Sequence, residues 1–140
     1  MAFNVVIVSP ERTIYDGPAD LVLLPGVNGQ VGVMSHHLPM FVHLGAGILT
    51  VRIDGIDKHY TLTSGFAHVE DNQMQVLAEA SESVEDIDVE RAEAARKRAL
   101  KQMSDLKSQD SPEFLSAVMK LHRSELRLNA VRRAGKHRNH

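Results

Sequence analysis

From Phe3 to Ala80 the apolar residues mostly recur at every second position, in short segments bounded by Gly, Pro and Asp, and near Ile87 that pattern stops. A period of two is the mark of half-buried strands, because successive side chains of an extended chain point to opposite faces. Leu49, Val51 and Ile53 alternate with Thr50 and Arg52, and the following Asp54-Gly55 is a favoured pair for a two-residue type I′ hairpin turn. A return strand is expected through His59 to Thr63, and Met74, Val76 and Ala78 alternate with Gln73, Gln75 and Leu77. A sheet with one apolar face needs a second layer. With no room for helices between these segments, that layer is expected to be another sheet, giving a sandwich or flattened barrel.

Beyond Ile87 the spacing becomes helical. Asp88 is placed to cap a helix, with Ile87 and Ala92 flanking it as a hydrophobic staple, and alanine-rich helix formers run to about Leu106. Lys107 to Asp110 reads as a turn, after which Ser111 is a second cap and Pro112 fills the first helical position, where its missing N–H costs nothing. Phe114, Leu121 and Leu128 repeat every seven residues, as do Ala117, Ser124 and Val131, which predicts one narrow seam for a neighbouring helix. Met103 and Leu106 are the main large side chains of the first helix, so the pair is expected to bury little apolar area and to be marginally stable. Gly135 and the basic, histidine-bearing end after it are expected to fray. The predicted fold is therefore an antiparallel β-sandwich over residues 1–86 followed by an antiparallel αα-hairpin over 87–140.

Charge divides the chain at the same place. Residues 1–86 hold 11 acids and 3 bases, a balance of −8, and residues 87–140 hold 7 acids and 13 bases, a balance of +6. Cysteine is absent, so disulfides, thiolate nucleophiles and cysteine-ligated metals are excluded. No run reaches the ~20 apolar residues of a membrane span, and any membrane role is expected to be peripheral. Aromatic residues make up 4% and tryptophan is absent, which leaves few stacking platforms for single-stranded nucleic acid, and no nucleic-acid partner is expected.

Eight histidines raise the question of a metal, chiefly His36, His37 and His43, with His59 and His68 on presumed strands. Adjacent residues of an extended segment face apart, so loop and surface histidines are the preferred reading and no metal is expected. Gly26-Val27-Asn28-Gly29-Gln30-Val31-Gly32 lacks the spacing and following helix of a phosphate loop, and no catalytic constellation is visible. The arginines offer more. Arg91 and Arg98 lie two turns apart on one helix face, Arg123 and Arg127 one turn apart on the next, and an antiparallel pair could converge them on an anion. A solvated cationic face is the plain alternative.

Several segments together resemble the epsilon subunit family of bacterial F-type ATP synthases: Val5-Val6-Ile7-Val8-Ser9-Pro10-Glu11, Gly29-Gln30-Val31-Gly32-Val33 running into His37-Leu38-Pro39, Gly45-Ala46-Gly47, Ser64-Gly65-Phe66-Ala67, and Ile87 to Ala92 as the motif opening the first C-terminal helix. The resemblance implies a ten-stranded sandwich and a helical hairpin, and a non-catalytic subunit of the central rotor stalk. It implies that the sandwich binds the gamma subunit and the ring of c subunits, helping couple proton flow to ATP synthesis at the cytoplasmic face of the bacterial inner membrane. It further implies that the C-terminal helices inhibit ATP hydrolysis in the alpha/beta catalytic head.

By the same resemblance, a loop of Gly29, Gln30, Val31 and Gly32 together with His37 meets the c ring. Gln30 stands where some relatives have an acid, and His36 where a glycine is often found. Asp88, Arg91, Arg98, Arg123 and Arg127, with Glu82 just before the helix, match positions that bind ATP as a regulatory ligand in some members; no cofactor is required. Lys120, Arg123, Arg127, Arg132 and Arg133 are the implied inhibitory contacts. The competing reading is a free-standing β-sandwich binding module with a helical interaction tail.

Overall fold

The computed structural model of the chain describes residues 2–106 and 108–138, with side chains given to residue 135. Ten strands come first: β1 (Phe3–Val8), β2 (Thr13–Ala19), β3 (Leu21–Gly26), β4 (Gly29–Met34), β5 (Met40–Leu44), β6 (Gly47–Ile53), β7 (Ile56–Leu62), β8 (Gly65–Glu70), β9 (Gln73–Ala78) and β10 (Ser81–Ser83). They form one sheet in the order β10-β7-β6-β3-β5-β8-β9-β1-β2, with β4 paired to β3. Every pairing is antiparallel except β1 with β9. β2, at one end of this order, touches β6 and β10 near the other, so the sheet curls back and faces itself across the core.

Alternation decides which side chains fill that core. Phe3, Val5 and Ile7 of β1, Met74, Val76 and Ala78 of β9, and Leu49 and Val51 of β6 are buried. The β6–β7 hairpin closes through Asp54 and Gly55 at φ 53° and 77°, the two positive values a type I′ turn requires. At the start of β8 a side chain on Gly65 would fall on the Leu77 carbonyl oxygen, so only glycine lets β8 lie this close to β9 there. Alternation is not clean throughout. Thr50, His59 and Thr61 point away from the core yet are buried, and Thr50 Oγ1 meets His59 Nδ1 at 2.9 Å.

The chain divides into two compact units between Val84 and Glu85, and a short 3-10 turn at Val84–Asp86 precedes the helices. In the second unit α1 runs over Val89–Asp105 and α2 over Pro112–Arg138, and the two pack against each other. Asp88 caps α1, accepting from the Arg91 N–H at 3.1 Å, and Ser111 Oγ caps α2, accepting from the Phe114 N–H at 3.1 Å. Lys107 of the expected turn lies outside the described residues.

α2 keeps helical geometry through Gly135 to Arg138. Of the expected seam positions, Ala117 and Ser124 are buried and Phe114, Leu121, Leu128 and Val131 are half-buried; Ala130 and Ala134 are buried too but lie roughly 80–120° around the helix from Ser124. On α1 the buried positions are Ala92 and Ala99, seven apart, with Met103 and Leu106 at the flank.

Candidate functional site

Three surfaces carry the residues with functional chemistry. The first is a concavity of about 340 Å³ between α1 and α2, lined by Arg98 and Gln102 on one helix and Lys120, Arg123 and Arg127 on the other, over a floor of Ala95, Ala99 and Ser124. Helical spacing explains its charge: positions 120, 123 and 127 fall within about 60° of one another around α2. Four cationic side chains and no carboxylate line it, so its electrostatics favour an anion over a cation. Alanine and serine beneath the arginines let the helix backbones approach closely, which keeps the cations of the two helices within reach of one ligand.

Not every expected residue joins this group. Arg91 lies two turns nearer the start of α1, roughly 10 Å along the axis from Arg98, and is outside the lining. Asp88 is committed as the α1 cap. Glu82 belongs to the sandwich unit, on β10, where its N–H donates to Thr61 Oγ1 at 3.3 Å. Arg132 and Arg133 are exposed on α2 but lie more than about 100° around the helix from Lys120. The five cations from Lys120 to Arg133 therefore do not form one face.

The second surface is the β3–β4 hairpin with the turn after β4. The expectation of a loop at Gly29 to Gly32 is corrected: these residues pair along β3, Gly29 with Gly26, Gln30 with Pro25, Val31 with Leu24 and Gly32 with Leu23. The resemblance implied a loop here, but the chain turns back within two residues and these positions form the return strand of a tight hairpin. The connecting turn is Val27-Asn28. His37 lies beyond the opposite end of β4, so about 17 Å of extended strand separates Gly29 from Met34 alone. The structure does not bring Gly29 and His37 together. The turn after β4 instead exposes Met34 and Leu38, the latter 78% exposed, with His37 half-buried and its Nδ1 2.8 Å from the Leu38 carbonyl.

The third surface was not foreseen. On the outer side of β5, β8 and β9, Phe41 is 67% exposed, Phe66 43% and Leu77 57%. Phe41 and Phe66 lie 5.4 Å apart between ring centroids, His43 stacks on Phe66 at 5.0 Å, and His68 flanks Phe41 at 6.2 Å. A contiguous cavity of about 560 Å³ runs from Phe66 and Leu77 to Val8 and Pro10 of the β1 end. Exposed apolar side chains that meet in a patch mark an interaction surface far better than the same residues scattered singly.

The histidines do not converge. His59 is bonded to Thr50, His68 sits 3.4 Å from Glu70, and His43 stacks on Phe66. Among the described residues no group of three or more His, Asp or Glu side chains could hold a metal, and no helix is long and apolar enough to cross a membrane.

The family model of the ATP synthase, Delta/Epsilon chain, beta-sandwich domain matches residues 2–84, and that of the ATP synthase, Delta/Epsilon chain, long alpha-helix domain matches residues 85–132. The chain belongs to the ATP synthase delta/epsilon family. Among its relatives, the ATP synthase epsilon chain of Symbiobacterium thermophilum is 39% identical over 91% of each chain. That of Gloeobacter violaceus is 37% identical over 94% of this chain and 98% of its own. The chloroplastic epsilon chain of Pyropia yezoensis is 32% identical over 94% and 96%.

Two solved structures share the fold at lower identity. A chain of the Euglena gracilis mitochondrial ATP synthase, in an OSCP/F1/c-ring structure, superposes with a TM-score of 0.67 at 21% identity, covering 99% of this chain and 82% of that one. A chain of the Tetrahymena thermophila mitochondrial enzyme, in a central stalk and c-ring structure, gives 0.58 at 14%, covering 91% and 95%. For this delta/epsilon-family chain, the ten strands lie within the beta-sandwich match and both helices begin within the long alpha-helix match.

Proposed function

We propose that the chain is the non-catalytic epsilon subunit of a proton-translocating F-type ATP synthase, a peripheral component of the central stalk at the cytoplasmic face of the bacterial inner membrane. The observation that carries this reading is the exposed Phe41, Phe66 and Leu77 face of the sandwich, which an isolated domain has no reason to keep uncovered. In the proposal the gamma subunit covers that face, and the c ring meets the turn that exposes Met34 and Leu38, with Gly29 to Gly32 contributing from the hairpin. Phe41→Glu combined with Phe66→Glu places two charges where an apolar partner would sit. The variant chain is expected to keep its melting temperature and to lose co-purification with gamma. Full retention of the variant on gamma would overturn the assignment of this face as the contact, and an unmodified chain that does not co-purify with gamma would favour a free-standing sandwich module.

A second element rests on the basic concavity. In the proposal the hairpin regulates hydrolysis in the catalytic head, and the compact hairpin holds ATP through Arg98, Arg123 and Arg127, whose guanidinium groups match a triphosphate. Calorimetric titration of the full-length chain with ATP is expected to give saturable binding that Arg98→Ala with Arg123→Ala removes. A wild-type chain that takes up no ATP at millimolar concentration ends this part of the reading.

A further inference from the structure

The turn after β4 contains a conformation its own sequence does not favour. The His37 N–H donates to the Met34 carbonyl at 3.3 Å, closing a β-turn with Ser35 and His36 at its centre. His36 has φ 64°, in the left-handed region, whereas Ser35 does not. One positive φ at the third residue is the type II pattern, a position that glycine or asparagine fills most easily. Histidine enters this region more readily than most residues but still carries a Cβ that glycine lacks, so a contact that holds the turn offsets a real cost.

That support comes from Asn72. Its side-chain oxygen accepts from the His36 N–H at 2.7 Å and from Ser35 Oγ at 3.1 Å. An N–H can only donate, so the atom facing His36 must be the amide oxygen. Asn72 is itself fixed. It is the second residue of the two-residue Asp71-Asn72 turn between β8 and β9, where both have positive φ, and its carbonyl accepts from the Asn4 N–H of β1 at 3.4 Å. A residue 36 positions away in the chain thus ties the β4–β5 turn to a rigid hairpin.

We infer that Asn72 is the positioning residue for the Ser35 to Leu38 tip, holding His36 in its left-handed conformation so that Met34, His37 and Leu38 are presented in one shape to the c ring. The inference rests on the proposed reading of that tip as the ring contact. It explains how a chain with histidine at position 36 keeps a turn that would otherwise call for glycine.

Four variants of the full-length chain test it, each read by amide exchange at His36 and by retention on the assembled, detergent-solubilised ATP synthase during washing. Asn72→Gly keeps the positive φ and removes only the acceptor. It is expected to speed His36 exchange by about tenfold and to weaken docking several-fold. Asn72→Asp retains an acceptor oxygen and is expected to restore both. Adding His36→Gly to Asn72→Gly relieves the turn of its crowded Cβ and is expected to recover docking without recovering exchange protection. Leu38→Glu tests the tip itself and is expected to weaken docking with His36 exchange unchanged. If Leu38→Glu weakens docking and Asn72→Gly changes neither readout, the role of Asn72 is overturned and the ring contact stands. If Leu38→Glu leaves docking intact, the ring contact and the positioning role fall together.

Discussion

The two units bury different things. In the sandwich the fully buried side chains are large, among them Ile7, Leu24, Leu44, Leu49, Leu62 and Met74. In the hairpin the buried positions are Ala92, Ala99, Ala117, Ser124, Ala130 and Ala134. Burying a leucine is worth roughly 1.5–3 kcal/mol and each methyl-sized group about 0.8 kcal/mol, so the same number of buried residues stabilises the hairpin several times less. Small residues also bring the helices close, which is what sets the cations of both around one concavity. The comparison teaches that large buried side chains anchor the sandwich, whereas the hairpin gains less stabilisation from each residue it buries.

The largest expected effect is in the sandwich. Leu49→Ala removes a side chain with no exposure and is expected to cost about 2–5 kcal/mol, read as a lower denaturation midpoint for strand signals. Hydrogen exchange resolved by residue should show strands losing protection and helices unaffected. Ala99→Leu comes next, because a larger side chain at a position with 1% exposure must push α1 from α2, at about 1–3 kcal/mol. Here the helices alone should lose protection. Helices as protected as strands in the unmodified chain, or an Ala99→Leu variant with an intact hairpin, would break the comparison.

Much of this contrast was legible in the sequence. The alternation from Gln73 to Ala78 appears directly as exposed and buried positions of β9, the Asp54-Gly55 pair makes the expected turn, and Asp88 and Ser111 cap the expected helices. These features are local, so the residues concerned determine them. What escaped notice was non-local. Phe41 and Leu77 are apolar residues on outward positions flanked by apolar residues on inward ones, so period two does not reveal which set is exposed. Lys120 enters the basic concavity and Arg91 does not, because the register between two helices decides which turns meet. Gly29 and His37 looked close in sequence and stand apart because the strand between them is extended.

The smallest expected effect is the most discriminating. Asp88 accepts from the Arg91 N–H and so satisfies one of the backbone donors that α1 leaves unpaired at its start. Asp88→Ala removes that acceptor and is expected to cost about 1 kcal/mol, a typical value for losing a cap. A loss of that size in the sandwich would shift a midpoint slightly and leave the folded population near unity. In a hairpin whose buried positions are alanines and a serine, it is a sizeable share of the total, and about 1 kcal/mol changes a folded-to-open ratio roughly fivefold. Helix amides of the Asp88→Ala chain should therefore exchange several-fold faster at unchanged strand protection. Asp88→Asn, which keeps a capping oxygen, should recover most of the difference. Helices that tolerate the loss of this cap without measurable opening would show that the hairpin draws its stability from something other than its small-residue seam.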